Sequence, residues 1–556
     1  MSENRRELLC VIVVLTIACT AVLLYRTSCF ENIEPRTDQA AAARLVQEVR
    51  IDHFFPLPLP QAGFRRRLES DSASALNRIA RYFVQTPVFT FTAASLAFFW
   101  AGTFVLSDSW RALVVLSIAG SALTLAVTCL WAYWLGRLFY PDRRTAIIGA
   151  SATFIAGAFC GYAHLFSPWG VHNIGVLGLV AAGFATSRAL WKLSRADDSV
   201  PWGSVAAVQA IALYTHWTNL FLLPPATLLA IVLCPGLKRR QRTTLLAAYI
   251  GGCVVLALPI LLRFNGSSDF AFAAYSSPSK SISAGPFLFR AWGWVLAAHS
   301  YFSISGLLLA VTGLIALAVS RRIWFPLALL VTHWCMWTAL PGFTWNGSPT
   351  ELRTYNYLLP CLWLGIGYAF ICAATAATEI RSRIIMLSAA SLLFVAHLTS
   401  QTTYFTSPQS ISSQFPTFWN SYLTGQGTLG PLVRNVDARI GPGATLMVSS
   451  YPLQDSYFVL SRNRAPGLVL DTLWQREKAG NLAEHLHEFG EKVPCSPMYV
   501  LADSSSDLDL RASIAGVLGP TGLDCGNAFT LEEVTRYATD KQLFGDVSLY
   551  RVRSRQ

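Results

Sequence analysis

The chain has few of the charged residues that cover the surface of a water-soluble protein. Only 13% of its 556 residues are charged, whereas 53% are hydrophobic. The mean hydropathy is +0.42. Soluble domains carry about 25% charged residues, so this composition excludes an ordinary soluble protein and indicates a membrane protein.

Several common signatures of binding chemistry are also missing. No two of the 12 cysteines have the CxxC spacing of a metal site, and most are single residues inside apolar runs. The part after residue 400 contains neither a GxGxxG motif nor a P-loop, so no nucleotide site is predicted there. The net charge of +12 lies largely beside apolar runs, which disfavours a nucleic-acid partner. No cofactor is predicted, and the sequence leaves a divalent-metal requirement open.

Long apolar runs dominate the first 400 residues. A helix needs about 20 such residues to cross a bilayer. By that measure the runs predict about eleven membrane-spanning helices, at roughly 8–25, 111–136, 145–163, 171–190, 203–217, 218–235, 244–263, 303–320, 323–340, 356–376 and 384–399. A further run from Pro87 to Leu106 would move every later basic cluster outside if it crossed. We therefore predict that it lies in the outer interface.

Basic residues recur beside every second run and predict the orientation. They include Arg5-Arg6, Arg143-Arg144, the cluster from Lys238 to Arg242, and Arg321-Arg322. Positive residues are retained in the cytoplasm, so we predict a multi-pass protein of the plasma (inner) membrane with its N-terminus inside. Residues 26–110 then form a long first outer loop, and the C-terminal part lies outside.

The composition changes at about residue 400, which predicts a membrane domain over 1–400 and a soluble α/β domain over 401–556. Short strands separated by Gly/Pro turns are predicted at 444–449, 457–460, 467–470, 498–502 and 547–552, with helical patterns at 478–490 and 508–518. Cys495 and Cys525 are the only cysteines of this part and can pair if the compartment is oxidising.

Asp38 is the first candidate catalytic residue, because it follows the first span and precedes an alanine-rich helix. An acid at a membrane surface beside a hydrophobic cleft can act as a general base. The alternative is that Thr37 or Asp38 simply caps the helix, since both are good N-cap residues. Glu34, four residues upstream, is a second acid at the same place.

Several short motifs occur in an order that resembles glycosyltransferase family 39, of the GT-C superfamily of polyprenyl-phosphate-dependent enzymes. They are Asp38-Gln39-Ala40, Thr86-Pro87-Val88-Phe89, Ser107-Asp108-Ser109-Trp110-Arg111-Ala112-Leu113, Leu135-Gly136-Arg137-Leu138, Tyr214-Thr215-His216-Trp217-Thr218-Asn219-Leu220 with Leu223-Pro224-Pro225, and Arg353-Thr354-Tyr355-Asn356-Tyr357-Leu358-Leu359-Pro360. The chain departs from the family in having Gln39 as the second residue of its acidic pair and a single proline at Pro87.

The resemblance implies a GT-C-like helical bundle with an outer active site. It further implies that the enzyme transfers a sugar from a polyprenyl-phosphate donor to a lipid, glycan or protein acceptor, as protein mannosyltransferases and aminoarabinose transferases do. Asp38 would be the base. Arg353, at the mouth of a late span, would bind the departing phosphate.

Other polar residues at predicted outer helix ends are weaker candidates for substrate binding. They are Arg290, Lys280, His216, His172 and Glu34. The alternative for the cations, including Arg353, is contact with lipid headgroups, and for the histidines it is packing at the interface.

The main competing hypothesis is a transporter or membrane receptor with an outer sensing domain. Transporters usually show internal repeats and ionisable residues in mid-span, and neither is evident here. A second alternative is a polymerase or ligase that uses pyrophosphate-linked donors. Besides the donor and the acceptor, the only partners predicted are membrane lipids.

Overall fold

The structure is a computed structural model, and the residues it describes are 3–29, 93–102, 105, 109–140, 142–159, 171–195, 199–216, 218–261, 287–339, 353–375, 380–406, 429–440, 445–448, 467–469, 498–503, 529–538 and 546–554. The chain divides into two units. One contains the apolar helices and the other contains a five-stranded sheet.

A helix is present at every predicted span. The helices are α1 (Glu3–Cys29), α2 (Ala93–Gly102), α3 (Ser109–Phe139), α4 (Arg143–Ala158), α5 (Val171–Ser194), α6 (Trp202–Leu213), α7 (Thr218–Leu233), α8 (Arg239–Leu261), α9 (Phe287–Phe302), α10 (Ile304–Arg321), α11 (Phe325–Ala339), α12 (Leu359–Thr375) and α13 (Ile380–Thr406). Among the described residues, five helical segments are long and apolar enough to cross a membrane: Val115–Phe139, His172–Ser194, Ile304–Arg321, Tyr355–Thr375 and Ile380–Ser400. A polytopic helical membrane protein is thus confirmed, whereas the number of eleven spans stays a prediction.

Of the helices α1 to α13, α2 and α9 lie outside the predicted spans. Helix α2 lies within the run from Pro87 to Leu106 and has only 10 residues. At 1.5 Å per residue it is ~15 Å long, about half of what a bilayer crossing needs. Helix α9 was not predicted, because Arg290 and His299 interrupt its apolar sequence.

Helix α12 is the centre of the helical unit, with nearly all of its side chains buried. Glycines allow its neighbours to approach closely. A Cβ on Gly313 of α10 would collide with the carbonyl of Gly365, and a Cβ on Gly367 would collide with Thr153 of α4. In a bilayer the hydrophobic effect does not drive helices together, so they associate through close backbone contact at small residues.

The second unit contains α14 (Leu429–Ile440), which was not predicted, and a mixed sheet. Its strands are β1 (Thr445–Val448), β2 (Gly467–Val469), β3 (Met498–Asp503), β4 (Phe529–Ala538) and β5 (Asp546–Ser554), in the order β2-β1-β3-β5-β4. Strands β2, β1 and β3 are parallel, and β5 and β4 continue antiparallel. Four of the predicted strands are present and β4 was missed. The predicted strand at 457–460 and both predicted helices lie outside the described residues, as do Cys495 and Cys525.

An apolar core joins α14 to this sheet. Leu432, Val433, Val436 and Ile440 form one face of α14 at helical spacing. They pack against buried residues of three strands, Leu446, Val448, Tyr499, Leu501, Val547 and Leu549. The alternation of these strand residues puts one face of the sheet into the core.

Candidate functional site

Asn219, in the first turn of α7, fixes the turn between α6 and α7. Its side-chain amide donates to the carbonyls of Gly175 on α5 and Ala212 on α6, both at 2.9 Å. It also donates to the hydroxyl of Thr215 at 3.0 Å. A fully buried amide with three acceptors holds the ends of three helices together. It thereby positions His216, which follows Thr215 in the turn.

Helix α2 holds the same turn from a second direction. The backbone N–H of Ala94 donates to the carbonyl of Tyr214 at 3.1 Å. The hydroxyl of Ser95 donates to the carbonyl of Thr215 at 2.6 Å. These carbonyls follow the last turn of α6, so α2 satisfies backbone groups that the helix cannot satisfy itself.

His172, His216 and Tyr357 form a cluster at this end of the bundle, which we call the histidine cluster. The two imidazole rings lie 4.0 Å apart between centroids, and the Tyr357 hydroxyl is 3.3 Å from Nδ1 of His172. The N–H of Thr218 donates to Nδ1 of His216 at 3.1 Å, which places the proton of a neutral His216 on Nε2. His216 is 2% exposed and Tyr357 0%, while His172 is partly exposed.

A second cluster, here called the tryptophan cluster, joins α9 to α11. The indole N–H of Trp294 donates to Nδ1 of His333 at 2.9 Å. The hydroxyl of Tyr355 donates to the carbonyl of Trp294 at 2.7 Å. Arg290, one turn before Trp294, donates through Nε to the carbonyl of Thr338 at 2.8 Å, so its guanidinium is held at the end of α11.

A 3₁₀ helix, Arg353–Tyr357, connects the two clusters. Tyr355 belongs to the tryptophan cluster and Tyr357 to the histidine cluster, so this short helix is fixed at both sides. Arg353 is its first residue, and the structure describes its backbone but not its side chain. Imidazole, phenol and guanidinium groups at one end of a membrane bundle suit a ligand that combines hydroxyls with an anionic group.

The predicted site residues fall into three groups. His172 and His216, 44 positions apart in sequence, are in contact, and Arg290 and the backbone of Arg353 lie at the tryptophan cluster and the connecting helix. Asp38, Glu34 and Lys280 are outside the described residues. Within the described part of the chain, no three His, Cys, Asp or Glu side chains are grouped as metal ligands would be.

Sequence reasoning missed Tyr357 and Asn219 as members of the site. Both lie inside motifs that carried the family resemblance, and those motifs were the only signal available. Neither residue type suggested its role, because a tyrosine near a membrane boundary is usually an interfacial residue.

Comparison with known proteins finds similarity in structure only. No family model and no curated protein matches the chain. The crystal structure of ArnT from Cupriavidus metallidurans, bound to undecaprenyl phosphate, is 11% identical and superposes with a TM-score of 0.52, over 96% of this chain and 97% of that one. The apo oligosaccharyltransferase of Archaeoglobus fulgidus is 13% identical with a TM-score of 0.45, over 92% of this chain and 72% of that one.

The likeness to ArnT extends along almost the whole chain, through both the helical unit and the unit that contains the sheet. It agrees with the order of short motifs noted in the sequence. The chain has the GT-C fold, an integral membrane helical domain with a C-terminal α/β domain.

Proposed function

We propose that this protein is an integral membrane glycosyltransferase that transfers a sugar from a polyprenyl-phosphate donor to an acceptor on the outer face of the membrane. The observation that carries the proposal is the fold shared with ArnT over 96% of the chain, since that protein was crystallised with undecaprenyl phosphate. The ordered family motifs support it independently. Two of them supply His216 and Tyr357 of the histidine cluster.

The proposed reaction is a single displacement at the anomeric carbon of the donor sugar. An acceptor oxygen or nitrogen forms a bond to that carbon while the bond from the carbon to the phosphate oxygen breaks. The acceptor proton passes to the carboxylate of Asp38, and the electron pair leaves with polyprenyl phosphate. A phosphate ester is a good leaving group once its charge is stabilised, so no general acid is required.

Cations are proposed to stabilise the charge that develops on the departing phosphate. Arg353 is the first choice, because Tyr355 and Tyr357 fix the short helix that it begins. Arg290 is the second, since its hydrogen bond to the carbonyl of Thr338 orients the guanidinium. Lys280 is a third candidate, proposed from the sequence.

The histidine cluster is proposed to bind the sugar. His172 is partly exposed and backed by the buried His216 and Tyr357, so it can present a ring nitrogen at a fixed position. Glu34 is proposed to bind substrate beside Asp38. Binding groups held in advance by a second layer of contacts lose little entropy when the ligand arrives.

Sugar transfer by the purified full-length protein tests the proposal. Asp38→Asn keeps the capping ability of the side chain but removes the base, so turnover should fall by about two to four orders of magnitude. Glu34→Gln and Glu48→Gln are the matched controls, and neither should fall as far. Arg353→Ala should weaken donor binding and slow the chemical step together.

Two outcomes would redirect the proposal. Full activity in Asp38→Asn would mean that this residue is a helix cap, and inactivity of Glu34→Gln alone would move the base four residues upstream. If the wild-type protein bound the donor but transferred no sugar to any acceptor, the transporter or receptor hypothesis would replace the enzyme.

A further inference from the structure

A deep apolar groove opens between α5, α6, α7 and α8, away from the histidine and tryptophan clusters. Its volume is about 440 Å³, and its walls include Leu190, Leu213, Ile231 and Leu256. Exposed apolar side chains on the adjoining faces of α6 and α8, such as Ile211 and Val254, show that this side of the bundle faces hydrocarbon.

The polar side chains in the groove hydrogen-bond to one another. The hydroxyl of Tyr249 donates to the amide oxygen of Gln209 at 3.0 Å, and the amide nitrogen of Gln209 donates to the hydroxyl of Thr186 at 2.6 Å. This chain of bonds ties α8, α6 and α5 together. Because these groups already have partners, the groove suits a hydrocarbon chain better than a polar ligand.

The length of the groove corresponds to one leaflet. Along α8 its lining runs from Leu245 to Leu256, and along α6 from Trp202 to Leu213. Each stretch rises ~16 Å at 1.5 Å per residue, which is about half of the ~30 Å hydrocarbon core. An acyl chain of one leaflet therefore matches the groove, whereas a polyprenyl tail is longer than the groove.

One end of the groove has the composition of a membrane interface next to anionic lipid. Trp202 lies at this end and is 42% exposed. Ala189 and Leu245 line the groove. Lys192 lies three residues after Ala189 and Arg242 three residues before Leu245, so each cation lies on the groove face of its helix.

Both cations are held at that end by hydrogen bonds to neighbouring residues. The ammonium of Lys192 donates to the hydroxyl of Ser199 at 2.9 Å and to the carbonyl of the same residue at 3.3 Å. The guanidinium of Arg242 donates to the carbonyl of Cys234 at 3.0 Å. Ammonium and guanidinium groups are the cations that bind phosphate in proteins. The positive-inside rule assigns this end to the cytoplasmic leaflet.

We propose that the groove binds an anionic phospholipid of the cytoplasmic leaflet, with one acyl chain between α6 and α8 and the headgroup phosphate between Lys192 and Arg242. The site is separate from sugar transfer and does not depend on the proposed function. Each Lys or Arg near a membrane surface favours anionic over neutral lipid by about fivefold.

The test uses the full-length protein in nanodiscs of phosphatidylethanolamine and phosphatidylglycerol in equal amounts, with a small added fraction of undecaprenyl phosphate. The protein is released from the nanodiscs in the mass spectrometer, and the lipids that remain bound to it are counted by native mass spectrometry. Gly252 lines the groove and Gly251 does not, and a Cβ at either position meets no atom within 4 Å. Gly252→Leu should reduce retained phosphatidylglycerol at least about fivefold, whereas Gly251→Leu should match the wild type.

The headgroup is tested separately. Lys192→Gln should lower the ratio of retained phosphatidylglycerol to phosphatidylethanolamine about fivefold, and Arg240→Gln, off the groove face, should leave it unchanged. Equal retention of phosphatidylglycerol by Gly252→Leu and Gly251→Leu overturns the proposal. So does a loss of undecaprenyl phosphate alone in Gly252→Leu. Ala206→Leu, on the opposite wall, repeats the test if Gly252→Leu does not fold.

Discussion

Gly175→Ala is the sharpest perturbation of the histidine cluster. A Cβ at this position would lie 2.6 Å from Cβ of His216 and 2.7 Å from the hydroxyl oxygen of Tyr357. Ordinary contacts begin at about 3.4 Å, so the added methyl group lacks ~0.8 Å on one side and ~0.7 Å on the other.

Neither neighbour can yield easily. His216 and Tyr357 are both buried, and the contact on His216 is made by an atom next to the backbone rather than by the end of a flexible side chain. The carbonyl of Gly175 also accepts the hydrogen bond from Asn219, so a shift of α5 would strain that bond too. Overpacking of this kind typically costs about 1–3 kcal/mol of unfolding free energy.

Catalysis should fall as well as stability. A displacement of about 1 Å at a binding group can reduce turnover roughly 10²-fold. The measurements are thermal unfolding in detergent and sugar transfer from a polyprenyl-phosphate donor. The matched control is Gly203→Ala on α6, where a Cβ meets no atom within 4 Å.

Two results would refute this reasoning in different ways. If Gly175→Ala were as stable and as active as Gly203→Ala, the close packing of the cluster would be wrong. If Gly175→Ala were destabilised but fully active, the cluster would be a packing contact and no part of the sugar site.

Two further variants test how the helices are joined. Tyr355→Phe removes the hydrogen bond from the phenol to the carbonyl of Trp294 and should lower the unfolding free energy by about 0.5–1.5 kcal/mol; a melting temperature equal to that of the wild type would contradict it. The same variant should raise the KM for donor more than it lowers kcat, because it loosens the 3₁₀ helix that begins at Arg353. Gly313→Ala places a methyl group against the carbonyl of Gly365 and should separate α10 from α12, with a loss of thermal stability that Gly203→Ala does not show.

The sequence predicted the helical unit well, because a bilayer dictates the length and polarity of the segments that cross it. Helix α9 was missed for the same reason: a sequence interrupted by Arg290 gives no sign of a span, and its burial depends on hydrogen bonds to α11 and to Tyr355. Strand β4 was missed because it lies at the edge of the described sheet and carries exposed charged residues such as Glu532 and Arg536. Its partner β5, the next strand along the chain, stabilises it through backbone hydrogen bonds, which leave no signal in the side chains of β4.

The sequence by itself determined the class of protein and the candidate residues His172, His216 and Arg290. Only the tertiary structure decided which of them meet, because contact across helices depends on how their surfaces pack and not on spacing along the chain. Asn219 brings α5 and α7 together and so pairs two histidines 44 positions apart. The 3₁₀ helix, fixed by two tyrosines, then joins that pair to the cluster of Arg290, a connection that exists only once the helices have packed.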